Sequence, residues 1–340
     1  MRLLMIVPVF ALALLADSLP AQTSTSPFAT IVYSYKPGLG TGTFNDPSKA
    51  LGAPKGAGAS SGSFDVVTLG VGGSLTLGFA APIMDGPGAD FIVFENGFYV
   101  GQTLRCFAEV FFVEVSSNGK DFARFPVSYV GPNASGPFAA FLVGSWRGLG
   151  GTTPVLAHSV LRPGIDARDA ARAGGDAFDL SDLKQHPLVK AQKLNLHRIT
   201  HLRLVDLVDG TVRDQANRLI RDPSAGSADV DAVAVLNFLG HQDPKAPQAQ
   251  LELTKSRRLR LRLRDTEGIL DLDPAKLHMS IQGIPLDFWG FVSQCRVVQG
   301  DAKGFTLETL FSLPKDLPVK LSLCVRDKAG RIASDSVVLH

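Results

Sequence analysis

The chain has 340 residues, of which 45% are hydrophobic and 19% are charged, a composition typical of a packed globular protein and not of a disordered one. Its formal net charge of +2 excludes a global field that would attract nucleic acid or an anionic membrane. Three cysteines are too few for a disulfide scaffold. The length allows two domains of about 100–200 residues each.

The N-terminus has the pattern of an export signal. Arg2 is followed by an uncharged apolar stretch from Leu3 to Ala16, and a small residue stands at Ala21. This arrangement predicts a secretory signal peptide over residues 1–21, cleaved after Ala21. The alternative, a retained anchor, is disfavoured because the stretch is shorter than the ~20 residues that span a bilayer. We therefore expect a secreted, cell-surface or periplasmic protein without a transmembrane anchor.

Short apolar stretches separated by glycine and proline follow, as in β-sandwiches. Leu75, Leu77 and Phe79 share one face of a strand because side chains alternate along it. Residues 131–183 differ, and we interpret them as a long excursion over one end of the sandwich. Ala140–Trp146 and Ile165–Ala173 could form helical turns there, but glycines interrupt them. The strands predicted here are Asp65–Leu69, Ser74–Phe79, Asp90–Glu95, Glu109–Ser116, Phe122–Val130, Ile199–Leu207 and Asp231–Phe238.

A polar, proline-bearing stretch at 241–250 predicts a linker between a first domain at 28–240 and a second at 251–340. The second contains seven short strand patterns, which is typical of an immunoglobulin-like or fibronectin-like sandwich. Cys295 and Cys324 lie on two of these strands, and they form either a disulfide or two buried free thiols. The predicted strands are Leu251–Thr254, Leu259–Leu263, Met279–Gln282, Gln294–Val298, Thr306–Leu310, Val319–Arg326 and Asp335–Leu339.

The sequence offers no familiar catalytic motif: H-E-x-x-H, G-x-S-x-G, a P-loop and C-x-x-C are all absent. His197 and His201 would share a helix face, but in the predicted strand they lie about 13 Å apart. Glu109 and Glu114 fall on opposite faces of a strand, so they do not flank one bond. Glu95, on another strand, could face one of them. We predict no catalytic residue.

The segment Arg257–Arg264 alternates arginine and leucine, which indicates a half-buried strand with one cationic face. The favoured interpretation is a solubilised sheet surface that discourages edge pairing. The alternative is a patch for acidic polysaccharide or lipopolysaccharide phosphate. Aromatic residues do not interleave with the arginines, so bases have no stacking platform and we expect no nucleic-acid partner.

Two oxygen-rich turns suggest calcium. One begins at Asn45 and Asp46, and the other runs from Asp222 to Asp229 and Asp231. Calcium takes six to eight oxygen ligands from carboxylates and carbonyls, which the two turns could supply if they meet in space. Ordinary Asx-turn chemistry is the alternative. The predicted metal ligands are Asn45, Asp46, Asp229 and Asp231.

Several segments in order resemble a family of bacterial cell-surface and PEP-CTERM-associated proteins, with a domain similar to discoidin-like, galactose-binding-type jelly rolls. The resemblance covers about residues 30–238 and implies a jelly-roll fold and a surface setting, but it names no ligand. Unlike anchored members, the chain has no apolar tail with a basic end at Ser334–His340. The segments are 50–54, 65–70, 72–79, 85–96, 107–110, 113–122, 174–180, 202–206 and 229–233.

These observations lead to an all-β prediction: an N-terminal jelly-roll sandwich with a long excursion, followed by an immunoglobulin-like sandwich. The favoured function is a secreted or cell-surface adhesion protein that binds carbohydrate, with calcium supporting its loops. A glycoside or ester hydrolase acting at the sandwich rim and a purely structural envelope protein are the alternatives. An acidic cluster without a cleft would favour calcium, whereas two carboxyls ~5–10 Å apart in a groove would favour a glycosidase. The predicted ligand-binding residues are Glu95, Asn96, Tyr99, Glu109 and Trp146.

Overall fold

The computed structural model describes residues 26–129, 140–222, 226–240, 245–313 and 319–339. The predicted signal peptide lies outside the described residues, as do residues 241–244 of the predicted linker. Within the described ranges, no helix is long and apolar enough to cross a membrane.

The first part of the chain is built from short antiparallel strands, which confirms the all-β prediction. A short helix, α1 (Pro187–Lys190), and 3₁₀ turns at Pro47–Ala50 and Leu180–Leu183 interrupt them. In chain order the strands are β1 (Ala29–Lys36), β2 (Val67–Thr68), β3 (Ser74–Ile83), β4 (Phe91–Glu95), β5 (Phe98–Tyr99), β6 (Arg105–Phe107), β7 (Phe111–Ser116), β8 (Ala123–Arg124), β9 (Ser128–Tyr129), β10 (Phe141–Leu142), β11 (Trp146–Arg147), β12 (Leu149–Gly150), β13 (Asp176–Phe178), β14 (Ile199–Asp206) and β15 (Asp229–Val235).

Two sheets make the N-terminal sandwich. One has the order β1-β3-β14-β7-β12, with β8 beside β7, and the other has the order β13-β4-β15-β2. Their facing side chains form one core, to which β3 contributes Leu75 and Leu77 and β4 contributes Phe91 and Val93. The alternating pattern of β3 arises because only one face of this strand meets that core.

Strand β4 is apolar on both faces for a structural reason. Phe91 and Val93 point into the sandwich, whereas Ile92 and Phe94 pack beneath the excursion, against residues such as Val155. The excursion thus covers the outer face of this sheet, and its removal would expose an apolar strand surface.

Neither stretch of the excursion that could form helical turns becomes a helix, although Ile165–Ala173 contains turns closed by the Arg172 and Ala173 amides on the Asp169 carbonyl. Ala140–Trp146 contains β10 and the start of β11, separated by Gly144 at φ +92°, a conformation that interrupts a right-handed helix. In Ile165–Ala173, Asp166 accepts a hydrogen bond from the Arg168 amide, and Asp169 accepts from the Ala171 amide. These Asx turns replace a helix.

The sequence prediction also missed β1 and β13. Strand β1 lies at the edge of its sheet and leaves Ile31 and Tyr33 exposed, so its apolar residues do not mark one buried face.

The last part of the chain forms the C-terminal sandwich. Its sheets have the orders β16-β17-β21-β20 and β19-β18-β22-β23, and their inner faces share a second core that includes Leu261 and Leu323. Its elements are β16 (Gln248–Leu253), β17 (Leu259–Arg264), β18 (His278–Ile281), β19 (Ile284–Leu286), α2 (Phe288–Val292), β20 (Cys295–Asp301), β21 (Gly304–Thr309), β22 (Val319–Arg326) and β23 (Ile332–Leu339), with 3₁₀ turns at Ile269–Asp271 and Pro274–Lys276.

Two details of this sandwich differ from the sequence prediction or decide between its alternatives. Strand β16 begins at Gln248, so the last three residues of the predicted linker pair with β17. Cys295 and Cys324 lie in different sheets and are free thiols, as in the second of the two alternatives, except that Cys324 is buried and Cys295 is only partly so.

Charged and polar groups join the two sandwiches. The Lys320 ammonium of β22 lies 2.6 Å from Asp176 of β13, and the Tyr99 hydroxyl donates to the Gln282 carbonyl at 2.6 Å. Nearby, Arg326 pairs with Asp166 at 2.9 Å. The two cores are therefore separate, but the surfaces between them are specifically paired.

Candidate functional site

Five acidic side chains converge at one rim of the N-terminal sandwich, where β4 ends and β15 begins. In the register of these strands, Glu95 lies opposite Val230, which places it beside Asp229. The Asp229 amide faces Glu95 Oε1 at 3.4 Å. We call this group the rim cluster; its members are Glu95, Glu109, Asp206, Asp222 and Asp229.

Local structure explains how the carboxylates come together. Glu109 lies in the segment before β7, and Asp206 is the last residue of β14. Glycine leaves room for them: a Cβ on Gly151 would lie 3.3 Å from Glu95 Cγ, and a Cβ on Gly226 would lie 2.5 Å from Glu109 Oε1. Side chains at these two positions would therefore displace the cluster.

Burial and mutual repulsion raise the pKa values of the rim cluster. Burial, followed by the carboxylates of Glu109 and Asp229, raises the pKa of Glu95 well above its usual range. Burial, with Asp229 and Asp206 nearby, raises the pKa of Glu109 to about 8. The pKa rises to about 9 for Asp222 and to about 6 for Asp206, in each case mainly through burial. Burial also raises the pKa of Asp229. For Glu95, Glu109, Asp206 and Asp222, the charged neighbours that raise the pKa are carboxylates.

Backbone amides fix two of these carboxylates. Asp206 accepts hydrogen bonds from the amides of Ala228 at 3.0 Å and Gly72 at 2.9 Å, and Asp222 accepts from the Val110 amide at 2.9 Å. Such bonds hold each carboxylate in place, but they do not neutralise its charge.

Unused oxygens remain in the cluster. Glu95 is 1% exposed, yet its Oε2 has no hydrogen-bond partner. The buried Ser227 hydroxyl, between Gly226 and Ala228, also has none. A buried, unpaired carboxylate oxygen is costly, which indicates that a cation or a proton belongs beside it.

The structure brings together four of the predicted site residues. Glu95, Glu109 and Asp229 belong to the rim cluster, and the Asn96 side chain lies 3.4 Å from Asp229 Oδ2. Asn96 also donates to the Ser63 carbonyl at 3.0 Å.

Two predicted aromatic ligand residues lie elsewhere. Trp146 is 3% exposed and stacks on Tyr129 with ring centroids 4.0 Å apart, so it presents no open face for a sugar. Tyr99 packs against the core beside Cys106, and its hydroxyl bonds to the C-terminal sandwich. The sequence pattern did not distinguish buried from exposed aromatics in loops.

The remaining predicted metal ligands have partners of their own. Asp46 caps the 3₁₀ turn at Pro47–Ala50 by accepting from the Ser48 amide, and the exposed Asn45 donates to the Gly42 carbonyl. Both oxygens of Asp231 accept from the Lys55 amide at 3.0 Å, and burial raises the pKa of Asp231 to about 7. Among the four, Asp229 is the one that belongs to the rim cluster. Residues 223–225 of the second turn lie outside the described residues.

Asp206 was not predicted as a site residue, and Asp222 was only part of the second oxygen-rich turn. A signal did exist for Asp206, because it lies near the end of the predicted strand Ile199–Leu207 and is the last residue of β14. The contact of Asp222 with Val110 spans 112 residues of sequence, and no local pattern reports it.

Tighter acidic groups occur at two other places, where all the ligand atoms lie within 4.8 Å of one another. In both, basic side chains already supply positive charge: Lys184 pairs with Asp85 at 3.2 Å, and Arg331 pairs with Asp271 at 3.2 Å and with Asp327. The carboxylates of the rim cluster are more widely spaced, as expected for like charges without a cation between them. The two tighter groups are Asp85, Asp90 and Asp179, and Asp265, Asp271 and Asp327.

Four cavities among the described residues lie away from the rim cluster. They measure about 80 to 390 Å³ and are lined by other side chains. The rim cluster is therefore not part of any of these four cavities.

Comparison of the chain with models of protein families finds no match, and comparison with curated proteins finds none.

Proposed function

We propose that the protein is a secreted or cell-surface binding protein whose N-terminal sandwich holds a calcium ion in the rim cluster and binds carbohydrate nearby. The observation that supports the cation is the presence of five acidic side chains, mostly buried, whose pKa values are raised by burial and, in all but Asp229, by neighbouring carboxylates. A cation between them would replace this repulsion with attraction.

The ligand chemistry favours calcium over other common metals. Carboxylates are oxygen ligands, and the Asn96 amide lies beside Asp229. Hard cations prefer oxygen, and calcium accepts six to eight such ligands in variable geometry, whereas magnesium requires a near-ideal octahedron. Carboxylate oxygens on loops and strand ends therefore suit calcium. The role of the ion would be to stiffen the rim loops.

A hydrolase is the second candidate. The raised pKa of Glu109, about 8, would keep this group protonated at neutral pH, as a general acid requires. Glu95 would then be its partner carboxylate. The unpaired Oε2 of Glu95 supports a bound cation, so the binding protein remains the favoured proposal.

The decisive experiment compares two buried glutamates of the same sandwich. Glu95 has no basic partner, whereas Glu114 pairs with Arg124 at 2.8 Å and with Arg203 at 2.6 Å. We expect calcium to raise the melting temperature of the unmodified protein with rising concentration. Glu95→Gln should weaken calcium binding at least ten-fold, whereas Glu114→Gln should leave the calcium response unchanged while lowering stability.

Two results would count against the proposal. An identical melting curve in calcium and in chelator would show that the rim cluster does not bind calcium. Hydrolysis of a polysaccharide or an ester that disappears in Glu95→Gln or Glu109→Gln would show that the protein is a hydrolase. A glycan array probed with and without calcium tests the carbohydrate part separately.

A further inference from the structure

An exposed aromatic pair lies next to the rim cluster. Phe64 is 86% exposed, although a phenylalanine ring usually gains free energy by burial. The ring of Phe44 lies 6.3 Å from it, centroid to centroid, with an angle of 22° between the planes. The two rings are therefore nearly parallel, with Phe64 open to solvent and Phe44 partly buried beside it.

Hydrogen bonds fix the backbone beside both rings. The Phe44 carbonyl accepts from the Thr68 amide at 2.7 Å, which ties its loop to the sheet containing β15. Ser63, immediately before Phe64, bonds to the Asn96 side chain through both its amide and its carbonyl. Because Asn96 also contacts Asp229, the aromatic pair is connected to the rim cluster through one side chain.

The surroundings of the pair are polar and electrically balanced. Asp65 follows Phe64 and pairs with both Lys49 and Lys55, and Asp46 lies near Lys49. These four side chains, two lysines and two aspartates, thus balance one another in charge. They offer hydrogen-bond donors and acceptors without favouring an anionic or a cationic partner.

We infer that Phe44 and Phe64 form a stacking platform for an uncharged sugar ring of the carbohydrate ligand. The inference rests on the proposed function, which supplies carbohydrate as the class of ligand. It adds the two residues that contact the sugar and the absence of charge on that sugar. A pyranose presents an apolar face of C–H groups that fits a flat aromatic surface, while its hydroxyls reach polar neighbours.

The size of the surface argues against a protein partner. A stable protein interface buries about 800 Å² on each side, whereas two phenylalanine rings account for a few hundred at most. The charged margin of Lys49, Lys55 and Asp65 begins immediately beside the rings, so the apolar area does not extend further in that direction. A single sugar ring matches this area.

The test uses the mature protein on a glycan array of neutral hexose oligosaccharides, with uronic-acid oligosaccharides for comparison. Phe64→Ala should weaken binding to the neutral sugars at least ten-fold, and Phe64→Tyr, which keeps the ring, should retain it. Phe311→Ala removes an exposed ring from the C-terminal part of the chain, where Phe311 is 45% exposed, and should change nothing. All variants should keep the melting temperature of the unmodified protein in chelator, since these rings are exposed.

Each other outcome contradicts a distinct part of the inference. Neutral-sugar binding that survives in Phe64→Ala overturns the platform, and binding confined to uronic acids overturns the uncharged sugar. If the unmodified protein binds no glycan on the array, both the platform and the carbohydrate part of the proposed function fail. The calcium melting curve then decides separately whether the rim cluster still holds an ion.

Discussion

Glu95 and Glu114 show that a buried carboxylate has a role set by its neighbours. Glu114 lies opposite Arg203 on β14 and Arg124 on β8, so its charge is matched within the sheet. Glu95 has carboxylates as its charged neighbours and one oxygen without a partner. The first arrangement stabilises the sheet, whereas the second depends on a proton or a cation from outside.

Protonation of the rim cluster predicts an unusual pH dependence. The pKa of Glu109 rises from an ordinary 4.5 to about 8 in the folded protein. Between about pH 4.5 and 8 the folded state therefore binds more protons than the unfolded state, so its stability falls as the pH rises. In chelator, we expect the melting temperature to decrease across this window. Saturating calcium should reduce the decrease, because the ion replaces the protons.

The matched measurement uses Glu109→Gln, which cannot ionise. In chelator this variant should lose part of the decline between pH 4.5 and 8. A melting temperature in chelator that rises through the window for the unmodified protein would show that the carboxylates are already ionised in the folded state.

At the residue scale, the sequence located the strand-end groups but not their partners. Glu95 and Asn96 were recognised as rim residues because a buried strand ends there. Trp146 was placed at the rim on residue type alone, yet it stacks on Tyr129 inside a core. Exposure of a loop aromatic depends on which distant segment covers it, and local sequence does not encode that neighbour.

At the element scale, the loop between β12 and β13 shapes the rim cluster through a glycine. Gly151 has φ +84°, and a Cβ there would lie 2.5 Å from the Glu109 carbonyl oxygen. We expect Gly151→Ala to destabilise the protein by about 2–4 kcal/mol, because the clash adds to a backbone cost of about 1–2 kcal/mol. Because Glu109 would have to move to relieve the clash, calcium affinity should also fall. Urea unfolding and calcium titration measure the two effects.

Gly101→Ala provides the control for this prediction. Gly101 has φ +61°, but a Cβ there would meet no atom within 4 Å. This variant should show the backbone cost alone and normal calcium binding. Equal losses of stability in the two variants would mean that the space beside Glu109 plays no part.

The elements themselves were largely readable from the sequence where one face is buried. Alternation marked β3, β7 and β17, and apolar stretches marked β14 and the other strands of the C-terminal sandwich except β19. It failed for β1, an exposed edge strand, and for the excursion, where glycines at positive φ and Asx turns replace regular structure. The pairing of β4 with β15 joins residues over 130 positions apart, and it is this pairing that assembles the rim cluster.

At the scale of the whole molecule, a buried ion pair links the two sandwiches. Lys320 is 4% exposed, and its ammonium donates to Asp176, to the Thr153 hydroxyl and to the Gly175 carbonyl. The three acceptors belong to the N-terminal sandwich, whereas Lys320 lies on β22. The linker is thus not the sole connection, and rotation of one sandwich on the other would break buried contacts.

Lys320→Met tests whether this ion pair holds the sandwiches together. The substitution keeps most of the side-chain volume but leaves Asp176 buried without its cation, and removing one partner of such a pair costs about 3–5 kcal/mol. After proteolytic cleavage between residues 240 and 248, we expect the two fragments of the unmodified protein to elute together in size-exclusion chromatography. The fragments of Lys320→Met should separate, while those of Lys328→Met, which removes an exposed lysine, should not. Separation of the unmodified fragments would show that the contacts between the sandwiches are too weak to hold them together once the linker is cleaved.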